Sequence, residues 1–534
     1  MASSAFGHAD RRGVQVAFDL GLVHWAKRGA RRWLHHLSSM RSRIDESRSL
    51  KTLRRLSPPA RALAWIRAHE MSTGGIRVHS RHPSAYPEVT GYLVPTLLQY
   101  GERELAIRLI RWLVSVQRAD GAYTDPDHGR SYIFDTGQVL RALLAGADLV
   151  PEARDAARQA ADYLCAQLIE DGKGGFGVRY AGTIPEGIHL YVLPPLQLAA
   201  EVLRSSAYRA AAERCLEYYC AHPEALQIEG LTHFLGYDLE ALIDLSRADL
   251  ATPILDVLRA QQAADGAVRG VGGAAWICSP GLAQLAVCWY KVGQWEPGDK
   301  ALAWLEAHQQ PSGGFLGSYG PGASYFPHVE LSWAAKFYLD AHSLRVAAFF
   351  ERQAPLFPPS VPKEDGRVQA ILSVVQPRNR VLEVGCGKGR FLKALGDAHP
   401  EAECTGVDIS PALLADLPTG VRALRGSMEA IPCPDNSFDV VFSVEAIEHS
   451  ANPRAAVAEM IRVARPGGWI LVIDKQLAHW GRLRCPSWER WPERTEMSKL
   501  FRGACDHVTA APVGYDGRPA SDGLMVMWRG RKRL

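Results

Sequence analysis

The sequence predicts two fold classes in one chain, an all-α ring of helix pairs followed by an α/β domain built on a parallel sheet. Three observations carry this. A small glycine turn recurs at intervals of about 50 residues, the length of a helix pair with its loops. The stretch Pro355-Leu-Phe-Pro-Pro-Ser-Val-Pro362 then interrupts the pattern as a semi-rigid connector. Beyond it, strand and helix patterns alternate, as a parallel sheet with right-handed crossovers requires. The boundaries read as a basic amphipathic arm over 1–57, the helical repeats over 58–350, a linker over 351–364 and the α/β domain over 365–534.

The arm places Phe18, Leu22, Trp25, Ala26, Trp33, Leu37 and Met40 at near-helical spacing, interleaved with arginines and Lys27. Such a helix either lies on an anionic membrane surface or packs against its own chain with its arginines solvated. The repeats follow. Their turns are Gly74-Gly-Ile76, Asp120-Gly-Ala122, Gly174-Gly-Phe176, Glu229-Gly-Leu231, Asp265-Gly-Ala267 and Gly313-Gly-Phe315. Three carry a glutamine signature: Gln117-Arg-Ala-Asp-Gly121, Gln262-Ala-Ala-Asp-Gly266 and Gln310-Pro-Ser-Gly-Gly314. One helix pair cannot bury its apolar face alone, so six pairs closing on themselves supply the core, although an open solenoid fits the same spacing. The repeats resemble the (α/α)6 toroid shared by terpenoid cyclases, prenyltransferase β-subunits and several carbohydrate-active enzymes. The Asp-x-Asp-Asp motif of protonating cyclases and a zinc cluster are both missing from the sequence. Polar and aromatic residues instead follow the turns, and Glu88 with Asp135, or Glu330 with Asp238, offers an acid–base pair for glycoside chemistry. Aromatic faces and carboxylates together suit sugar rings; the plainer alternative is that they cap helices and line a wet ring.

In the α/β part, Val381-Leu-Glu-Val384 reads as a buried strand, Gly385, Gly387 and Gly389 as a tight turn, and Phe391-Leu-Lys-Ala-Leu395 as the start of a helix. A second strand ends at Asp408, about 20 residues on, where a carboxylate can bond ribose hydroxyls. Gly426-Ser-Met-Glu-Ala-Ile-Pro432, Ser437-Phe-Asp-Val-Val-Phe442 and Arg462–Ile473 complete the series. In order and spacing these blocks resemble the class I S-adenosylmethionine (SAM) methyltransferases with a Rossmann-like fold, and most closely the subgroup containing the ubiquinone-pathway enzymes. The resemblance implies that Glu383, Gly385, Gly387 and Gly389 cradle the amino-acid part of SAM. It further implies that Asp408, beside Ile409, holds the ribose and that Ser427 and Met428 hold the adenine. Many relatives have Asp where Ser427 stands, which leaves the contact to the adenine amino group open.

Glu445, Glu448 and His449 are spaced to share one face if they form a helical turn. The Glu-x-x-Glu-His string resembles the Mg²⁺ or Mn²⁺ ligands of small-RNA 2′-O-methyltransferases and ubiquinone O-methyltransferases, with His479 or His507 as a fourth ligand. Without a metal, His449 is the candidate general base. Trp480, Trp488 and Trp491, interleaved with arginines, suit a lid over a sugar acceptor; a lid packed on the toroid fits equally.

Composition sets the remaining limits. With 534 residues and 47% hydrophobic content the chain can build sizeable cores, and a net charge of +4 does not indicate a general nucleic-acid binder. Ten scattered cysteines fit a reducing compartment. No apolar run reaches the roughly 18 residues of a membrane span. The expectation is therefore a cytoplasmic SAM-dependent O-methyltransferase, peripheral at the inner face of the membrane if its arm lies on that surface. The favoured acceptor is a hydroxyl of a bacterial glycan or glycolipid, held with help from the toroid. The alternatives are an isoprenoid or polyketide acceptor, a toroid that is itself a cyclase, lyase or glycosidase, and a toroid that serves only as a docking scaffold.

Overall fold

The computed structural model describes residues 56–168, 186–222 and 230–534, with the side chain of Glu186 excepted. The arm over 1–57, all but its last two residues, and the turn at Gly174 lie outside the described residues, as does Glu229 of the fourth turn. The chain forms two compact units, one of Ala64–Tyr92 and Leu109–Tyr338, the other of Ser57–Leu63, Leu93–Arg108 and Leu339–Leu534.

The first unit is helical, and four of its helices, the first three and the last named below, lie partly in the second. Helices α1 (Pro58–Ala68), α2 (Pro87–Gln99) and α3 (Arg103–Val116) lead into α4 (Ile133–Ala145), α5 (Ala153–Ala166), α6 (Leu193–Val202) and α7 (Ser206–Ala221). Next come α8 (Thr232–Asp244), α9 (Ala248–Gln261), α10 (Ser279–Lys291), α11 (Trp295–His308) and α12 (Ser332–Gln353). The two-residue strands β1 (Ile277–Cys278) and β2 (Ser318–Tyr319) pair antiparallel. Along the sequence, helices buried on nearly every side, such as α10, alternate with amphipathic ones such as α5. That alternation is the pattern of an inner and an outer layer.

The glutamine signature has a physical cause. Gln117 Nε2 donates to Gly121 O at 3.1 Å and to Ala156 O at 2.9 Å. Gln262 repeats this with Gly266 O and Pro297 O, both at 3.0 Å. Gln117 and Gln262 thus tie their own turns to the second helix after them, α5 and α11 respectively. In the last turn the equivalent residue is Gln309, which donates to Gly313 O at 2.8 Å, so the Gln310 register read from the sequence is off by one. Gly121 has φ of 86°, and a Cβ there would lie 2.2 Å from Gln159 O, so only glycine serves. The first and last described segments of this unit also meet: Ser80 N donates to Glu330 O at 2.9 Å and Ser332 Oγ to Val78 O at 3.0 Å.

The second unit contains a seven-stranded sheet in the order β5-β4-β3-β6-β7-β9-β8. The strands are β3 (Arg380–Val384), β4 (Glu403–Asp408), β5 (Arg422–Arg425), β6 (Phe438–Val444), β7 (Ala464–Lys475), β8 (Cys505–Pro512) and β9 (Met525–Lys532). The five strands from β3 to β7 run parallel, and β9 and β8 close the edge antiparallel. Strand β6 is buried at every position, as expected of a parallel strand covered on both faces. Around the sheet pack α13 (Gly366–Leu372), α14 (Arg390–Ala398), α15 (Pro411–Ala415), α16 (Pro453–Val463) and α17 (Arg494–Ala504). Their starts are encoded locally: Asp365, Ser410 and Asn452 cap α13, α15 and α16, and Pro411 and Pro453 fill first-turn positions. Helix α12, whose residues from Leu339 on belong to the second unit, continues to Gln353, three residues into the predicted linker, and there Phe349, Phe350 and Glu351 meet Trp488, His449 and Ser410 of the same unit.

Candidate functional site

A cavity of about 430 Å³ opens in the second unit beside the carboxyl ends of β3, β4 and β6. Ligands collect at this edge of an open α/β sheet because the order of connections reverses between β3 and β6. Glu383, Gly385, Gly387, Asp408, Ile409, Ser427 and Met428 all line it, together with Glu445, Glu448 and His449. Gly389 stands one step behind as the N-cap of α14 in the left-handed conformation.

One end of the cavity suits a cationic amino acid joined to a nucleoside. Glu383 is buried, which pushes its carboxyl well above the usual range, and its Oε2 finds no partner among the described residues. A ligand ammonium would relieve both conditions. Gly385, Gly387 and Gly389 have φ of 72°, 54° and 71°, so the turn needs glycine, and nothing stands within 4 Å of a Cβ placed on Gly387. The Asp408 carboxylate accepts from the amides of Gly387 (2.8 Å) and Ser410 (3.0 Å), which fixes it at the cavity wall. SAM therefore fits the residues present. Ser427 Oγ donates to Glu429 Oε2 at 2.5 Å, and Ser450 Oγ donates to Glu429 Oε1 at 2.6 Å. Glu429 thus puts a carboxylate beside the cavity two residues after the serine, a contribution the sequence reading missed.

At the other end the structure corrects the expected metal set. Glu445 has φ of 51° and lies outside any helical turn; its Oε2 bonds Arg367 Nη1 and Arg390 Nη2, each at 2.7 Å. Residues 447–449 form a short 3₁₀ turn, and Glu448 and His449 are joined there by Glu489, not by Glu445. His479 sits near Arg482 and Gly523, and His507 lies on β8, so neither belongs to this group. One ligand atom from each of Glu448, His449 and Glu489 lies within 4.8 Å of the others. Lys475 Nζ, however, already bonds Glu448 Oε1 and stands 3.9 Å from Glu489 Oε1. The donors are of the right type for Mg²⁺ or Mn²⁺, but a fixed ammonium already neutralises them, so the set does not fit a metal.

Burial, with Lys475 nearby, lowers the His449 pKa to about 3, so its imidazole is neutral. Burial and then the Glu448 charge raise Glu489 to about 7, and Glu448 itself is pushed well above its ordinary value by burial and by Asp474. Burial alone would lower Lys475, but Glu448 and Asp474 outweigh it and hold the ammonium above the ordinary lysine range. Glu489 is thus the group at this end that changes charge near neutral pH, whereas His449, the base expected in the absence of a metal, has too little proton affinity for that part. Glu489 was missed because a lone acid inside Pro486-Ser-Trp-Glu-Arg490 carries no motif.

Residues 382–472 match the methyltransferase-domain family Methyltransf_11. This stretch of the second unit is therefore similar to a methyltransferase domain. The chain is 32% identical over 121 residues to an uncharacterized methyltransferase of Schizosaccharomyces pombe, covering 20% of this chain and 44% of that protein. It is 38% identical over 111 residues to phthiotriol/phenolphthiotriol dimycocerosates methyltransferase 1 of Mycobacterium ulcerans, covering 19% of this chain and 41% of that one. The chain therefore spans less than half the length of these two relatives. Among solved structures, a SAM-dependent methyltransferase from Aquifex aeolicus aligns with a TM-score of 0.28 and 19% identity, over 33% of this chain and 99% of that one.

Trp480, Trp488 and Trp491 do not line the cavity. Trp491 is buried in the core and Trp488 packs edge-on against Phe349 at 5.2 Å, while Trp480, 45% exposed, meets the edge of Trp491. Pro486 and Glu489 are what this segment contributes to the cavity wall. Trp488 and Trp491 thus pack the segment down by burying their indoles, with Trp480 resting on Trp491.

In the helical unit Glu88 and Asp135 do come together. Burial, then the Asp135 charge, pushes Glu88 well above the carboxylate range. Tyr92, Tyr237 and Tyr325 all feel the Glu88 charge. Their surroundings are aromatic: Tyr191 and Tyr237 lie 4.7 Å apart, His233 and Tyr237 4.6 Å, and Phe134 and Tyr237 5.0 Å. Glu330, by contrast, accepts from Trp65 Nε1 of α1 and from Ser312 Oγ (2.7 Å), so both of its carboxylate oxygens are already engaged. Among the described residues no helix is long and apolar enough to cross a membrane.

Proposed function

We propose that the chain is a SAM-dependent O-methyltransferase acting on a hydroxyl of a bacterial glycan or glycolipid. The observation that carries the reading is the cavity itself, with the unpartnered Glu383 carboxylate and Asp408 at one end and Glu489, His449 and Lys475 at the other. The cofactor supplies a methyl group on a sulfonium, and an in-line displacement asks mainly for alignment of the acceptor oxygen. Glu383 and the glycine turn hold the amino-acid part and Asp408 the ribose. Glu489, ionised above about pH 7, takes the acceptor proton, and Phe349 and Phe350 supply an apolar wall for the acceptor.

The helical unit belongs to this reading as a closed (α/α)6 toroid that helps to hold the acceptor. Its repeated glutamine-tied turns and the bonds joining its first and last described segments support closure. Peripheral membrane contact through the basic arm belongs to the same proposal. One observation favours a second reading. The buried Glu88 and Asp135 pair among aromatic rings has the composition of an acid–base centre, which would make the helical unit a glycosidase, lyase or cyclase in its own right.

Calorimetric titration of SAM and S-adenosylhomocysteine into the purified chain, followed by transfer of labelled methyl to bacterial glycan fractions, tests the proposal. Cofactor binding with label in a glycan supports it, and absent cofactor binding overturns it. A second glycan product that survives Asp408→Ala but is lost in Glu88→Gln would establish the bifunctional reading.

A further inference from the structure

We propose that Lys475 is the resident cation of the acceptor end, its ammonium standing between Glu448 and Glu489 in the position a divalent ion would take. The proposal rests on the methyltransferase reading for what the cation does there, but not for its presence.

Three observations carry it. The first is the donor set. Two carboxylates and an imidazole with ligand atoms within 4.8 Å of one another make a chelating group by composition. Glu448 is 2% exposed, and among the described residues its Oε2 and the His449 Nδ1 find no hydrogen-bond partner. Left as an acid cluster in a cavity wall, this group needs a positive charge.

The second is the way Lys475 is held. It is the last residue of β7, where its backbone pairs with Met525 of β9. The neighbouring Asp474 is fully buried and accepts from the Lys475 amide at 2.8 Å and from the Glu448 amide at 3.2 Å. One carboxylate therefore fixes the backbones of both the lysine and its partner acid. The ammonium is built into the site, unlike a surface lysine that swings in and out.

The third is Glu445. It is the remaining acid of the predicted metal set, and Arg367 and Arg390 already hold it. Arg367 is wholly buried and also bonds Asp365 and Asp516. Glu445 and Glu448 thus each carry a cation drawn from the chain. A divalent ion entering the trio would meet the ammonium at close range, and two like charges about 4 Å apart in a desolvated site repel by several kcal/mol.

The consequence concerns the acceptor. A divalent ion favours a ligand that offers two oxygens to one centre. A single ammonium offers separate N–H donors to a lone hydroxyl and the oxygen anion developing from it. Lys475 thus selects acceptors that present one hydroxyl without a chelating neighbour.

The test titrates Mn²⁺ into the EDTA-treated full chain, with S-adenosylhomocysteine present, and reads free Mn²⁺ by electron paramagnetic resonance. The unaltered chain should show no stoichiometric site tighter than about 1 mM. Lys475→Met should gain one Mn²⁺ site, at least about tenfold tighter, and Lys475→Met with Glu489→Gln should lose it again. Lys475→Gln serves if the methionine variant does not fold. One Mn²⁺ bound by the unaltered chain and lost in Glu448→Gln overturns the proposal. So does a Lys475 variant that binds S-adenosylhomocysteine yet gains no metal. S-adenosylhomocysteine binding in the same samples keeps a failure of the methyltransferase reading separate from a failure of this one.

Discussion

The Gly387 amide donates to Asp408 Oδ2 at 2.8 Å, so the carboxylate at the end of β4 is tied to the glycine turn that leaves β3. Asp408 therefore has two duties, bracing that turn and facing the cavity. Asp408→Ala removes both and should weaken SAM by about ten- to a hundredfold, the loss of one or two charge-assisted bonds. Asp408→Asn keeps an oxygen for the amides and should lose less. Calorimetric titration of the two variants side by side checks the order.

Two glycines of the same turn separate packing from backbone strain. A Cβ on Gly385 would lie 2.4 Å from the Ala446 Cβ, whereas one on Gly387 meets nothing within 4 Å. Both have positive φ, so each alanine variant carries about 1 kcal/mol of strain. Gly385→Ala adds a clash and should cost about 2–3 kcal/mol in total. Thermal unfolding should rank Gly385→Ala clearly below Gly387→Ala.

Glu489 gives a pH dependence with a definite sign. Its pKa is raised from 4.5 to about 7, so between these values the folded chain holds a proton that the unfolded chain has released. Its contribution makes stability fall as pH rises from about 4.5 through 7. Glu489→Gln removes that fall, so the variant should gain on the unaltered chain by up to about 2 kcal/mol by pH 8 and gain nothing at pH 4. Denaturant midpoints across this range measure the difference. A gap that narrows toward pH 8 would refute the assignment.

Glu88 follows the same logic in the helical unit, because burial, then Asp135, raises its pKa well above the ordinary value. Its contribution to stability falls as pH rises above the unfolded value, so Glu88→Gln should stabilise the chain at pH 8 and be close to neutral at pH 4. If the acid serves a ligand, the same variant should lose affinity for bacterial oligosaccharides while becoming more stable. Unfolding and binding measured on one preparation would show that exchange of stability for function.

Much was legible in the sequence because it is written locally. The order of strands and helices from β3 to β7 follows from buried apolar runs, the glycine turn and the proline and polar caps, which act within a few residues. The same holds for the placement of Glu383, Gly385, Gly387, Asp408, Ile409, Ser427 and Met428 around one cavity, since strand ends and turns fix them. The helix pairs showed through their repeated turns, although one register was misplaced by a residue because Gln309 and Gln310 are adjacent and only hydrogen bonding tells them apart.

What only the tertiary structure decided is which charges meet. Glu445 and Glu448 look equivalent in a Glu-x-x-Glu-His string, yet positive φ at Glu445 turns one toward Arg367 and Arg390 and leaves the other with Lys475. Glu489 and Lys475 reach the site from different segments after β6, and Trp480, Trp488 and Trp491 turn out to anchor a segment instead of lining the cavity. A side chain's neighbours along the chain set its backbone. Its charge partners are set by elements that fold back from far away, and no local spacing encodes them.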